Sequence, residues 1–163
     1  MTRRVAAVAG LQWTDTHRRG VGMANQILPV VKLFVVCEEV SFDTESAGYV
    51  LRIPLHNVAL PGDTTFPFEW DRLDCYAQLS DAVGTFRFAV EVLPEAADTV
   101  LYRSSPVELM FPVRGRIMVF EQHFRLTDVR FPRPEVYRVR LVCNHAPLPN
   151  AEATIRILGG FHP

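Results

Sequence analysis

From about Val30 to Leu158 the chain repeatedly alternates apolar and polar residues in pieces of strand length. Phe86-Arg87-Phe88-Ala89-Val90-Glu91-Val92 is the sharpest piece, and Tyr137-Arg138-Val139-Arg140-Leu141-Val142-Cys143 repeats the pattern near the end. Successive side chains of a strand point to opposite faces, so each piece carries one apolar and one polar face. Val30-Val31 and Leu33-Phe34-Val35-Val36-Cys37, either side of Lys32, read as a central strand covered on both faces, with a bulge or bend at Glu38-Glu39 that switches its faces. Tyr49, Leu51, Ile53 and Leu55 form one face of a second strand, which Pro54 marks as an edge or an irregularity. Phe66, Phe68 and Trp70, then Leu73, Cys75, Ala77 and Leu79, follow the turn at Pro61-Gly62-Asp63. Thr85 to Leu93 is the most regular strand. A fifth runs from Val100 to Phe111, broken near Ser104-Ser105-Pro106. Ile117 to Phe131 is too long for one typical strand and is expected to bend near Glu121-Gln122-His123 or at Asp128. Val136–Cys143 and Ala151–Leu158 are expected to pair across residues 144–150.

No stretch of ten residues holds a helical period, and the glycines and prolines fall mostly between the pieces. Seven to nine strands at intervals of about ten residues predict an all-β fold, a two-layer antiparallel β-sandwich of the immunoglobulin-like or a related kind. A single domain over 30–160 is expected, preceded by a flexible segment, 1–29, in which Met23 is a candidate natural start. The alternation from Lys32 to Leu158, carried by Leu33–Val40, Gly84–Val92 and Glu135–Val142, resembles an uncharacterised family of small bacterial β-sandwich proteins. The last piece is similar to the G-x-Y-x-φ-x-φ end of immunoglobulin-like and fibronectin-like sandwiches, with Pro134-Glu135-Val136 where the glycine would stand. That resemblance implies a fold and brings no catalytic residues with it.

With 163 residues and a formal net charge of −1, the chain presents no bulk field for nucleic acid or anionic membrane, and neither is expected as a partner. Cys37, Cys75 and Cys143 are far apart and odd in number, which suits buried thiols in a reducing cytoplasm. His17, His56, His123, His145 and His162 show no ligand spacing, and Cys143-x-His145 offers at most two ligands, so neither metal nor cofactor is expected. Asp43, Asp63, Asp81 and Asp98 occur singly in turns, where aspartate serves the backbone. Ser104-Ser105 lacks the Gly-x-Ser-x-Gly setting, and Glu38-Glu39 point to opposite faces. These residues predict no enzyme.

Two binding surfaces remain. Arg87, Arg138, Arg140 and Arg156 fall opposite the apolar residues of three strands and would share one outer face if those strands share a sheet. Guanidinium groups bind planar anions with paired hydrogen bonds, unless Glu91, Glu152 and Glu135 neutralise them. Phe66, Phe68 and Trp70 could stack on a sugar or line a protein contact, or enter the core. The reading favoured is a cytoplasmic, non-enzymatic bacterial or phage protein that binds another protein, a second copy of itself included. The alternative is a module for carbohydrate or anionic ligands that uses loop 65–70 or the arginine face.

Overall fold

The computed structural model describes residues 26–113 and 118–159. Ten strands follow one another: β1 (Val30–Asp43), β2 (Gly48–Pro54), β3 (Asn57–Ala59), β4 (Phe68–Ser80), β5 (Gly84–Pro94), β6 (Tyr102–Arg103), β7 (Val107–Phe111), β8 (Phe120–Phe131), β9 (Val136–Cys143) and β10 (Ala146–Leu158). One sheet has the order β2-β1-β4-β8. The other runs β3-β10-β9-β5-β6, with β7 on the same edge of β5 as β6. The architecture is the all-β sandwich that the alternation predicts. Pairing is antiparallel except between β3 and β10. The chain crosses between sheets five times, at β2–β3, β3–β4, β4–β5, β7–β8 and β8–β9, so both sheets contribute to one core. Residues 1–25, which include Met23, and Ile117 lie outside the described residues. Within the segment expected to be detached, Ile27 and Val83 exchange two backbone hydrogen bonds of 3.0 Å.

The core follows the alternation. Phe86, Phe88, Val90 and Val92 of β5 are fully buried and face Leu73, Cys75, Ala77 and Leu79 of β4 across the layer, with Val139 and Leu141 of β9 beside them. Phe111 stacks on Phe86 at 5.9 Å and on Phe120 at 4.5 Å, joining the two sheets at one end. At the other, Phe131 meets Tyr137 at 4.8 Å. Tyr137 is wholly buried, and its hydroxyl donates to the Arg133 carbonyl at 2.6 Å, which satisfies the polar tip inside the core. Gly84 opens β5 at φ 117°, where a Cβ would meet Gln26 Cγ at 3.0 Å.

Three local expectations need correction. β1 is central in its sheet but not covered on both faces: Leu33 is 38% exposed, because a bulge at Lys32 leaves Val31, Phe34 and Val36 facing the core and turns Leu33 outward. Cys37 and Val40 share a small outer cluster with Tyr76, so the faces do switch at Glu38-Glu39, where β1 leaves β4 and continues with β2 alone. Ile53 does not share the inward face of Leu55. It sits at φ 47° and is 62% exposed, and the left-handed turn before Pro54 ends the alternation. The last hairpin turns on Asn144-His145 alone, both at positive φ, and β10 starts at Ala146; a register shift between Pro147 and Glu152 hides this part of the strand from the pattern. The bend expected in β8 falls at Asp128, at φ 55°, between the Arg72–Thr127 and Trp70–Val129 pairs. There the inward set changes from Phe124 and Leu126 to Val129 and Phe131.

Candidate functional site

The four arginines do lie on one outer face, because β5, β9 and β10 are neighbours in one sheet. The register spreads them along it. Arg140 stands in a row with Glu152 of β10, Glu91 of β5 and Arg103 of β6. Arg87 lies near one end of β9, beside Asn144, and Arg156 pairs with Val136 at the other, so roughly 26 Å of strand separates them. Arg138 stands two residues from Arg140 along β9 and diagonally across from Arg156 of β10, whereas Arg87 is remote from all three.

Each of three arginines meets an acid. Arg140 grips Glu91 at 2.8 and 2.9 Å, and Arg103 takes the other Glu91 oxygen at 3.1 Å. Glu91 is 5% exposed and is held by guanidiniums from the strands on either side, so the row Glu152–Arg140–Glu91–Arg103 alternates in charge across four strands. Arg138 bonds Asp98 at 2.8 Å and the Ala97 carbonyl at 3.1 Å, tying down the loop after β5. That bond lowers the Asp98 carboxyl below its ordinary value. Arg87 reaches Glu108 at 3.2 Å through Nε alone. Arg156 is exposed, and its own backbone N–H is bound to the His56 carbonyl at 2.8 Å.

The aromatic residues are shared between core and surface. Phe66, Phe68 and Trp70 are half-buried and pack against the core, Trp70 edge-on to Phe131 at 6.3 Å and to Phe68 at 6.0 Å. Phe68 and Trp70 also line an open groove of about 360 Å³ with Glu38, Glu69, Asp71 and Arg72.

Two polar centres escaped the sequence reading. The first surrounds Asp74, fully buried on the outer side of β4. Arg72 Nη2 stands at 2.6 Å, His123 Nε2 at 3.0 Å and Arg125 Nε at 3.4 Å from its carboxylate, and the Val40 N–H donates to it at 2.9 Å. Burial pushes the carboxyl up, but Arg72, the Val40 N–H and His123 outweigh it and hold it at about 2. The carboxylate replaces the ladder at the point where β1 departs from β4. Tyr76, bonded to Glu121 beside it, is pushed up to about 12 by burial and that bond. Alternation could place Asp74 on a polar face; only the register Asp74–Arg125 and Tyr76–His123 shows who meets it.

The second centre is a groove of about 250 Å³ on the outer face of the β5 sheet. It is lined by Arg87, Phe88, Ala89, Arg103, Ser104, Pro106, Val142 and His145. It opens where Ser104-Ser105-Pro106 interrupts the edge between β6 and β7. There Ser104 Oγ accepts the Val90 N–H at 2.9 Å in place of a strand partner.

The three thiols are buried and unpaired. Burial raises all three, Cys143 to about 11 and Cys75 furthest, and Asp74 adds to the effect at Cys37 and Cys75, so none is poised as a nucleophile. Among the described residues no three of His, Cys, Asp and Glu are arranged to hold a metal ion, and no helix is long and apolar enough to cross a membrane. His17 and His162 lie outside those residues. Asp43 binds the Glu45 and Ser46 N–H groups, the backbone role expected of a turn aspartate. Comparison of the chain with protein-family models and with curated protein sequences finds no match.

Proposed function

We propose that this protein is a cytoplasmic, non-enzymatic sandwich of immunoglobulin-like kind that works by binding another protein chain, a second copy of itself included. The observation that carries the reading is an apolar end. Leu28, Val30, Met110, Val113, Met118 and Val119 are exposed large hydrophobic residues, Met110 and Val113 by 73% and 74%. The register brings them toward one pole: Val30 pairs with Ser80, Ile27 with Val83, Met110 with Thr85, and Phe120 with Leu79. Scattered exposed hydrophobics are ordinary, but a concentration at one pole marks a contact surface. Edge pairing is a weaker route. β2 ends at the kinked Ile53-Pro54, β3 and β6 have three and two residues, and the Thr127 N–H on the free edge of β8 is taken by the Tyr102 hydroxyl at 3.3 Å. Contact through side chains is therefore favoured over strand addition.

The immunoglobulin-like part of the reading is supported by Tyr137. It stands near the start of β9 and returns its hydroxyl to the backbone four residues upstream, as the corner tyrosine of such sandwiches does. Three unpaired buried thiols suit a reducing compartment.

Light scattering of the full chain over a wide concentration range tests the interaction, against Met110→Glu combined with Val119→Glu. The wild-type mass is expected to rise with concentration while the double variant stays at 18.5 kDa. Binding of an apolar dye should fall in the variant. Equal monomer masses remove self-association, and equal dye emission removes the apolar contact surface altogether.

A further inference from the structure

The groove beside β5 has the chemistry of a small binding site. Its floor is Ala89 of β5 and Val142 of β9, which face each other in register and form an apolar patch beside the charged row of Arg140, Glu91 and Arg103. Arg103 stands opposite Glu91 at one end, and Arg87, four residues away along β5, stands about 13 Å off at the other. His145 and Pro106 form the remaining rim. His145 is held there at φ 73°, in the left-handed region that Asn, Asp and His enter more readily than other non-glycine residues, by a turn whose first residue clamps the Arg87 backbone: Asn144 Oδ1 accepts the Arg87 N–H at 2.9 Å, and the Asn144 N–H donates to the Arg87 carbonyl at 2.8 Å.

The charges around the groove are paired: Arg87 meets Glu108, Arg103 and Arg140 share Glu91, and Glu152 stands opposite Arg140. Arg87, however, is held only through Nε. Its two terminal nitrogens have no partner among the described residues, and its side chain is 69% exposed, so the fork that would grip a carboxylate or phosphate is free. We infer that this groove binds a small organic anion, one carboxylate or phosphate on an apolar body, with the anion on Arg87 and the body over Ala89 and Val142. At about 250 Å³ it falls just below the range of drug-sized pockets, which sets the size of the body. Arg87 alone comes from the four arginines read in the sequence. Arg103 and His145 come from a strand of two residues and a tight turn, which alternation does not single out.

Titration of the isotope-labelled protein by NMR tests this with four probes: phenyl phosphate, benzoate, benzyl alcohol and inorganic phosphate. The first two should move the amides of Ala89, Val142, Ser104 and His145 to saturation. The last two each lack one half of the recognition and should bind about tenfold more weakly or worse. Arg87→Ser should weaken phenyl phosphate by about five- to tenfold with the melting temperature nearly unchanged, because the side chain is exposed. Glu108→Gln, which releases Arg87, should tighten it by about two- to fivefold. Arg103→Lys keeps the charge on Glu91 and serves as the second variant. No saturable shift up to about 20 mM phenyl phosphate or benzoate, a weakness beyond the millimolar range, would overturn the site. So would an equal response to inorganic phosphate, or undiminished binding by Arg87→Ser.

Discussion

At the scale of the residue, Asp74 gathers more basic side chains than any other carboxylate among the described residues. It accepts the Val40 N–H where β1 leaves β4, and it gathers two guanidiniums and an imidazole on a carboxylate that water does not reach. Removing one partner from such a centre costs more than its net contribution, because the others lose a charge they were arranged around. Asp74→Asn is therefore expected to destabilise by about 2–4 kcal/mol in urea unfolding. The same centre sets an acid dependence. The carboxyl is held at about 2 against an ordinary 3.8, so its stabilisation is complete above about pH 4 and is lost as the pH falls through 2. A shift of that size is worth about 2 kcal/mol. The urea midpoint of the wild type should fall between pH 5 and pH 2, and that of Asp74→Asn should fall less. Parallel declines would show that other carboxylates govern acid unfolding.

Among the elements, legibility followed regularity. β5 is legible almost to the residue because Phe86, Phe88, Val90 and Val92 keep a two-residue period on the core face, although Ala89, Glu91 and Leu93 on its other face are buried as well. The start of β10 is not, since Pro147, Pro149 and Asn150 resemble a loop while the backbone carries a register shift. The phase changes in β4 and β8 arise from one shared bend, and a pattern read along a single strand cannot show that two strands turn together. The arginine face was legible as a face but not as a site, because register, not composition, decides that Arg140 meets Glu91 and that Arg87 stands far from Arg156. At the end of β2, Pro54 does mark an irregular edge, but nothing in the sequence announces a left-handed isoleucine before it. That conformation costs a β-branched residue roughly 1–2 kcal/mol. Ile53 is 62% exposed, so little burial offsets the cost. Ile53→Gly should accordingly stabilise the protein by about 0.5–1 kcal/mol, read as a higher urea midpoint with an unchanged slope. A lower midpoint would mean that the Ile53 side chain contributes packing that its exposure does not reveal.

For the whole molecule, the decisive question is whether two sheets with different outer faces behave as one body. Their inner faces interlock: Cys75 of β4 and Cys143 of β9 belong to the same buried cluster as Phe86, Phe88 and Phe111, whereas Cys37 lies outside it with Val40 and Tyr76. Few residues of either sheet could stay buried without the other, because each sheet supplies the cover of the other's apolar face. Small single domains of this kind unfold in one cooperative step. The three thiols report on this directly, since burial protects each from labelling. In a denaturant series read by mass spectrometry, Cys75 and Cys143 should become reactive together, at the midpoint of the global transition. Cys37 is expected to react at lower denaturant, because β1 beyond it keeps its ladder with β2 and is tied to β4 by the Val40–Asp74 bond in place of a ladder, so it can peel from β4 without opening the core. Labelling of Cys143 while Cys75 stays protected would show that the sheets separate before they unfold, and the apolar layer between them would then be a contact between two independent units and not a common core.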